Sequence, residues 1–398
     1  MKNRWNEAEA AKYLHDPLQL RAYTSRLIGQ DEDLVLHGGG NTSVKATIAD
    51  FFGSETEVLF VKGSGWDLGD IEPAGFAPVR MDTLRQLAKL ETLSDIDMVT
   101  QQRAAMLDPN APNPSVEAIL HAIIPFRYVD HTHADDVVTI SNTADGEARI
   151  REIYGDRVLV IPYVMPGFVL SRKVRELSDN VDWQELEGMV LMNHGIFSFA
   201  DDARTSYERM LKLVGEARAY LESNNAVSIN TSGERAEVDL IALAQTRKAV
   251  SEAAGKAMLI KHNRSDEAVG FSRLTNVADI ATRGPLTPDH VIRTKRIPLI
   301  LDTDPRGAVA RYRQEYQAYF EQHTDGQLTC LDAAPRWAIW PKQGLLAFGH
   351  SYKEAGIVDD ITRHTLRCIQ SAEHLGGWQA LPARDIFEVE YWELEQAK

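Results

Sequence analysis

The sequence predicts an α/β (α+β) fold, and three observations carry that reading. Short apolar strands and amphipathic helices interleave over roughly the first 200 residues, a polar stretch follows, and further helices and strands run on to the end of the 398 residues. In order, the pattern predicts a helix over 20–28, a strand over 57–62 (EVLFVK), a helix over 116–124 and a strand over 128–133. Strands over 157–162 (RVLVIP) and 189–192 (MVLM) come next, then a long amphipathic helix over 205–221. Residues 223–237 (SNNAVSINTSGERAE) read as a linker, which places a domain boundary near residue 230 and divides the chain into 1–230 and 231–398. Beyond it come two helical stretches, a proline-punctuated segment over 283–305, a helix near 309–322 and a last unit from Arg336 onward.

The second half echoes the first. NHGIFSFADDARTSYERM (193–210) resembles KQGLLAFGHSYKEAGIVD (342–359) at a constant offset of 149 positions, with Gly195 against Gly344. Two readings are open: unrelated strand–turn–helix units, or a degenerate second copy of the fold. In the second reading Gln343 stands where His194 stands, so the copy lacks that side chain and is structural.

A formal net charge of −15 argues against a nucleic-acid or anionic-membrane surface, because those need clustered Lys and Arg. A phosphorylated small molecule is still compatible, since backbone dipoles and a metal can hold an anion in an acidic protein. The two cysteines, Cys330 and Cys368, are isolated, which leaves neither a disulfide framework nor a thiolate metal site. The N-terminal residues show no apolar signal segment, and no apolar run approaches the roughly 20 residues a membrane span needs, so a cytoplasmic protein is expected.

The chemistry-bearing residues start with His131-Thr132-His133. Alternate residues of a strand face the same side, so two imidazoles can converge on one ion, with Asp135 and Asp136 placed to orient them. His194 follows an apolar strand in Asn193-His194-Gly195, where Gly195 is expected to supply a positive φ. With His131 and His133 it makes a three-imidazole set that leaves one coordination position of a zinc ion open. Two glycine-rich loops, His37-Gly38-Gly39-Gly40-Asn41-Thr42-Ser43 and Lys62-Gly63-Ser64-Gly65, could present N–H groups and hydroxyls to a phosphate. Neither is a nucleotide loop. In Pro114-Ser115-Val116-Glu117, Ser115 suits a helix cap and Glu117 a first-turn position favoured by the helix dipole. Alternatively, Glu117 is a base beside the metal.

In this order (G-N-x-S, a short glycine turn, S-x-E, H-x-H, N-H-G) the pieces resemble the class II aldolase/adducin family over roughly residues 20–222. That resemblance implies a central antiparallel-rich sheet in three layers with flanking helices. It also implies that Zn2+, or another divalent metal, is held by His131, His133 and His194, with Glu117 as the catalytic carboxylate. Asn41, Ser43, Ser64, Gly65 and Ser115 fall in the stretches that hold substrate phosphate. Val116 departs from the two consecutive serines common in the family, and the spacing from Glu117 to His131 is shorter than in compact fuculose-phosphate enzymes. Tyr154 and Tyr163 are the candidates for a proton-donating tyrosine. Within the family the chain most resembles the aldolase half of bifunctional rhamnulose-phosphate aldolase/alcohol dehydrogenases. It shares their C-terminal region, including Arg283-Gly284-Pro285-Leu286-Thr287-Pro288-Asp289-His290 and YWELEQAK (391–398), without the dehydrogenase domain.

The resemblance implies a lyase that cleaves a ketose 1-phosphate of the rhamnulose or fuculose type into dihydroxyacetone phosphate and a short aldehyde. The alternatives are a 4-epimerase, decarboxylase or dehydratase working through a related anion, or a non-catalytic adducin-like scaffold. A homo-oligomer is expected, with a sugar phosphate as ligand.

Overall fold

The computed structural model describes residues 1–49 and 51–396; Ala397 and Lys398 of the YWELEQAK stretch lie outside them. The chain forms two compact units, Met1–Ser141 with Asp145–Tyr220, and Asn142–Ala144 with Leu221–Gln396. No described helix is long and apolar enough to cross a membrane.

The first unit is built on a seven-stranded sheet: β1 (Asn41–Ala49), β2 (Glu55–Lys62), β3 (Phe76–Arg80), β4 (Tyr128–Thr132), β5 (Val158–Ile161), β6 (Gly188–Leu191) and β7 (Gly195–Ala200). Its order is β3-β2-β1-β4-β7-β6-β5. Among these described strands only β5 and β6 pair in parallel, so the sheet is antiparallel-rich as the family resemblance implied. The apolar pattern predicts no strand at β3 and puts Asn41 and Ser43 in a loop. Both lie on β1, which pairs with β2 on one side and β4 on the other, so their backbone is fixed by two ladders.

Pairing register sorts the side chains into two faces. Asn41, His131 and Phe197 stand opposite one another across β1, β4 and β7, as do Thr42, Asp130 and Ser198 one residue along. The His131 face packs under the helices Ala118–Ile123 and Phe168–Ser178 through Leu120, Leu170, Val174, Phe197 and Phe199. Helices Pro17–Gly29 and Ala203–Ser223 cover the Asp130 face, completing three layers. There Arg21 and Asp130, both fully buried, form an ion pair at 2.6 Å. Ser206 Oγ donates to Asp130 at 2.5 Å, and Arg21 Nε donates to Ser25 Oγ at 3.2 Å. Two desolvated charges are tolerable because each finds its counter-charge and further polar partners, and this network pins β4 one residue from His131.

The second unit repeats this plan in reduced form. Its four strands are β8 (Leu259–Asn263), β9 (Leu299–Ile300), β10 (Trp337–Trp340) and β11 (Gly344–Gly349), in the order β8-β11-β10-β9. That is the order β4-β7-β6-β5, with parallel pairing again confined to the first two strands of β9, β10 and β11 in chain order. The register matches too: Leu191 opposes Gly195 as Trp340 opposes Gly344, and Thr132 opposes Ile196 as Asn263 opposes Leu345. Both hairpin turns carry one non-glycine residue at positive φ, Asn193 at 59° and Lys342 at 65°. The helix after β4, Asp135–Ser141, has its counterpart in Asp266–Ser272, 131 positions on. Of the two readings of the internal similarity, the degenerate copy is the one the fold supports. In it His262, Arg264 and Gln343 occupy the places of His131, His133 and His194.

Candidate metal and active site

The site lies at one end of the seven-stranded sheet, where β2, β4, β5 and β6 finish and β1, β3 and β7 begin. Loops leaving a rigid sheet at a common edge can bring side chains distant in sequence together. His131 is fully buried on β4, and His133 sits just past its end. His194, 6% exposed, closes the turn between β6 and β7, with its amide donating to the Leu191 carbonyl at 3.1 Å.

These three imidazoles converge. Each offers a nitrogen within 4.8 Å of the others, and the ring centroids stand 5.0, 5.1 and 5.0 Å apart. His131 Nε2 and His133 Nε2 are 3.2 Å apart. Two nitrogens bound tetrahedrally to one zinc at ordinary bond lengths would stand about 3.3 Å apart, so this pair has the spacing of co-ligands. The tautomer of His131 is fixed as well. Its Nδ1 lies 3.1 Å from the Ile196 carbonyl, which can only accept, so Nδ1 carries the proton and Nε2 presents its lone pair to the cluster. Phe197 stacks on the ring at 4.1 Å and holds its plane.

Glu117, 4% exposed, joins them. It occupies the N-cap of the helix Ala118–Ile123, yet its carboxylate makes no capping bond. Ser115 Oγ accepts from the Glu117 amide at 3.2 Å instead. The freed carboxylate turns into the site, with Oε2 3.7 Å from His131 Nε2 and Oε1 3.9 Å from His194 Nε2. Oε1 is buried without a hydrogen-bond partner among the described residues. A buried, unsatisfied anionic oxygen facing imidazole nitrogens suits a site built for a cation, so the donor set fits a divalent metal.

Other expected positions fall differently. Asn41 Nδ2 donates to Glu117 Oε2 at 2.6 Å and to Ser115 Oγ at 3.3 Å, and its Oδ1 accepts from His121 Nε2 at 2.5 Å. Both amide hydrogens are therefore committed, and none is left to donate to a phosphate. Ser43 is fully buried with its hydroxyl 2.8 Å from His121 Nδ1. The accessible members are Ser64 and Gly65, both exposed, and the half-buried Ser115. Their segments are joined by the bonds Ser64 N to Asn113 O at 2.8 Å and Ser115 N to Lys62 O at 3.1 Å. Asp67 accepts from the Gly38 amide, occupying one N–H of the first glycine loop.

Asp136 pairs with Arg218 at 3.5 Å, whereas the orienting acceptor for His131 is the Ile196 carbonyl. Tyr154 is a core residue whose hydroxyl donates to the Leu213 carbonyl at 2.8 Å, and burial raises its pKa; it is remote in role from the cluster. Tyr163 is half-buried just beyond β5, on the same sheet edge as the histidines. Gly195 is not at positive φ; Asn193 is. Glycine is required at 195 for space, because a Cβ there would collide with the Thr132 carbonyl and sit 3.0 Å from the His131 ring and 3.1 Å from the His133 ring.

The residue that sequence reasoning missed is His121. It is fully buried on the helix Ala118–Ile123, and burial pushes its pKa down to about 3, so the ring is neutral.

The model of the class II aldolase and adducin N-terminal domain matches residues 19–221, and that of the second domain of class II aldolases matches residues 237–398. A curated relative from Bacillus subtilis (strain 168), described as the uncharacterized oxidoreductase YuxG, is 31% identical over 419 residues. That alignment takes in 100% of this chain and 60% of the relative, so the chain spans less than two thirds of that protein's length. The solved N-terminal class II aldolase domain of a conserved protein from Thermoplasma acidophilum is 40% identical with a TM-score of 0.51, covering 56% of this chain and 99% of that one. An L-fuculose-1-phosphate aldolase from Thermus thermophilus is more distant, at 17% identity and a TM-score of 0.33 over 52% of this chain and 95% of that one.

Proposed function

The chain belongs to the class II aldolase and adducin family, and from that membership we propose that it is a divalent-metal lyase cleaving a ketose 1-phosphate into dihydroxyacetone phosphate and a short aldehyde. The observation that carries this reading is the convergence of His131, His133 and His194 on one point beside a buried Glu117 oxygen that accepts no hydrogen bond among the described residues. The three imidazoles would hold the cation, preferably Zn2+ given an all-nitrogen set. When bound, it supplies Lewis acidity to the substrate's carbonyl.

The chain's own groups do the rest. The exposed Ser64 and Gly65 and the half-buried Ser115 hold the phosphate, fixing the sugar without taking part in bond cleavage. Glu117 Oε1 accepts the C4 hydroxyl proton as the C3–C4 bond breaks, and later returns a proton to C3. One ketose phosphate thus yields one triose phosphate and one aldehyde, and the proton balance closes on a single carboxylate. The buried walls around His131, including Phe197, keep bulk water from competing for that proton.

The test is a panel of ketose 1-phosphates incubated with metal-loaded protein and followed by NMR. Two carbonyl fragments are expected. An epimer, released carbon dioxide or a dehydrated ketone would assign the site to another reaction of the family, and no conversion of any substrate would reject catalysis.

A further inference from the structure

We propose that His121 is a positioning residue that anchors the oxygen of the Asn41 amide and, through that amide, holds the orientation of the Glu117 carboxylate. The proposal rests on the reading of Glu117 as the group beside the cation. A chain of hydrogen bonds runs Ser43 Oγ to His121 Nδ1 at 2.8 Å, His121 Nε2 to Asn41 Oδ1 at 2.5 Å, and Asn41 Nδ2 to Glu117 Oε2 at 2.6 Å.

Each polarity follows from chemistry. A carboxylate only accepts, so Asn41 must turn its NH2 toward Glu117. That leaves Oδ1 facing His121, which must then carry its proton on Nε2. Nδ1 becomes an acceptor, and the Ser43 hydroxyl is its donor. Asn41, Ser43, Glu117 and His121 are all at least nine-tenths buried, so no solvent competes for these bonds.

An asparagine amide is nearly symmetric in shape, and only its partners decide which way it points. With a donor at His121 the amide is held at both ends, its NH2 by Glu117 Oε2 and Ser115 Oγ and its oxygen by His121 Nε2. Without it, Oδ1 has no donor in a dry site, so the amide tilts to find one and its NH2 bonds to Glu117 Oε2 and Ser115 Oγ loosen. Glu117 could then swing both oxygens toward the histidines at 3.7 and 3.9 Å, and Oε1 would stop being a free base. His121 therefore keeps Glu117 Oε2 on Asn41, so that the carboxylate would stand beside a bound cation with Oε1 left as the base.

The experiment compares wild type, His121→Leu and His121→Gln after loading with Co2+, whose visible absorption intensity falls when coordination number rises. The leucine variant is expected to bind the same amount of cobalt with a weakened spectrum, and to lose 10- to 100-fold in kcat with KM within about twofold. Glutamine, which can place an N–H near the imidazole Nε2 position, is expected to restore most of the spectrum and kcat. Should the leucine variant fail to fold, His121→Met fills the space without a donor and carries the same expectation. An unchanged spectrum and kcat in the leucine or methionine variant overturns the proposal while leaving the metal reading intact. Failure of the wild type to take up cobalt overturns the metal reading, and this proposal with it.

Discussion

The side-chain amide of Asn41 donates to the carboxylate of Glu117 at 2.6 Å, joining residues 76 positions apart. That bond holds one oxygen of Glu117 and leaves the other, Oε1, aimed at the histidines with no hydrogen-bond partner among the described residues. Glu117→Gln preserves the shape of the side chain but cannot take up a proton. Its kcat is expected to fall about 10²- to 10⁴-fold, with metal content retained. Full activity in this variant, measured by release of dihydroxyacetone phosphate, would remove Glu117 from the reaction.

At Gly195 the start of β7 lies tightly against the end of β4. Because a Cβ there meets the Thr132 carbonyl and both neighbouring imidazole rings, Gly195→Ala must push backbone apart. We expect a loss of about 1–3 kcal/mol in denaturant unfolding, together with weaker metal uptake. Wild-type stability and metal affinity would show that β4 and β7 yield more easily than their packing implies.

Asp130 on β4 and Arg21 on the helix that covers it pair with no solvent exposure on either side chain. Arg21→Met strands a buried carboxylate and is expected to cost about 3–5 kcal/mol, whereas changing both partners to apolar residues should cost less. Equal losses in the single and double variants, read from urea midpoints, would contradict this account of the pair.

Burial pushes the Asp136 carboxyl up to about 6, with Arg218 only partly offsetting that shift. The fold therefore keeps a proton that the unfolded chain has already lost, so this group's contribution declines as pH rises from about 4 to 6. Asp136→Asn should be more stable than wild type at pH 7 and should show a flatter stability profile across that window. A variant less stable at pH 7 would mean that the Arg218 contact outweighs desolvation.

The metal-facing histidines were legible because their signals are local. An H-x-H at a strand end and an N-H-G after an apolar strand each place an imidazole by backbone geometry alone. Glu117 was legible as a carboxylate near a helix start, but the sequence could not say that its side chain would abandon the cap. The supporting shell was hidden because it depends on register. Asn41 and Ser43 become neighbours of His131 only when β1 pairs with β4, and a lone histidine in AILHAI reads as core until that pairing exists. The positive φ assigned to Gly195 belongs to Asn193, since a turn shows its glycine but not which residue turns. The offset of 149 was visible, whereas the matching of β8 with β4 was not, because only His262 survives of the H-x-H pair.

The most direct test is divalent-metal analysis of purified protein beside the single change His194→Ala. One tightly held ion per chain in the wild type, lost or greatly weakened in the variant, is the predicted result. A metal-free wild type after loading with zinc, or an unchanged ion content in the variant, would contradict the account.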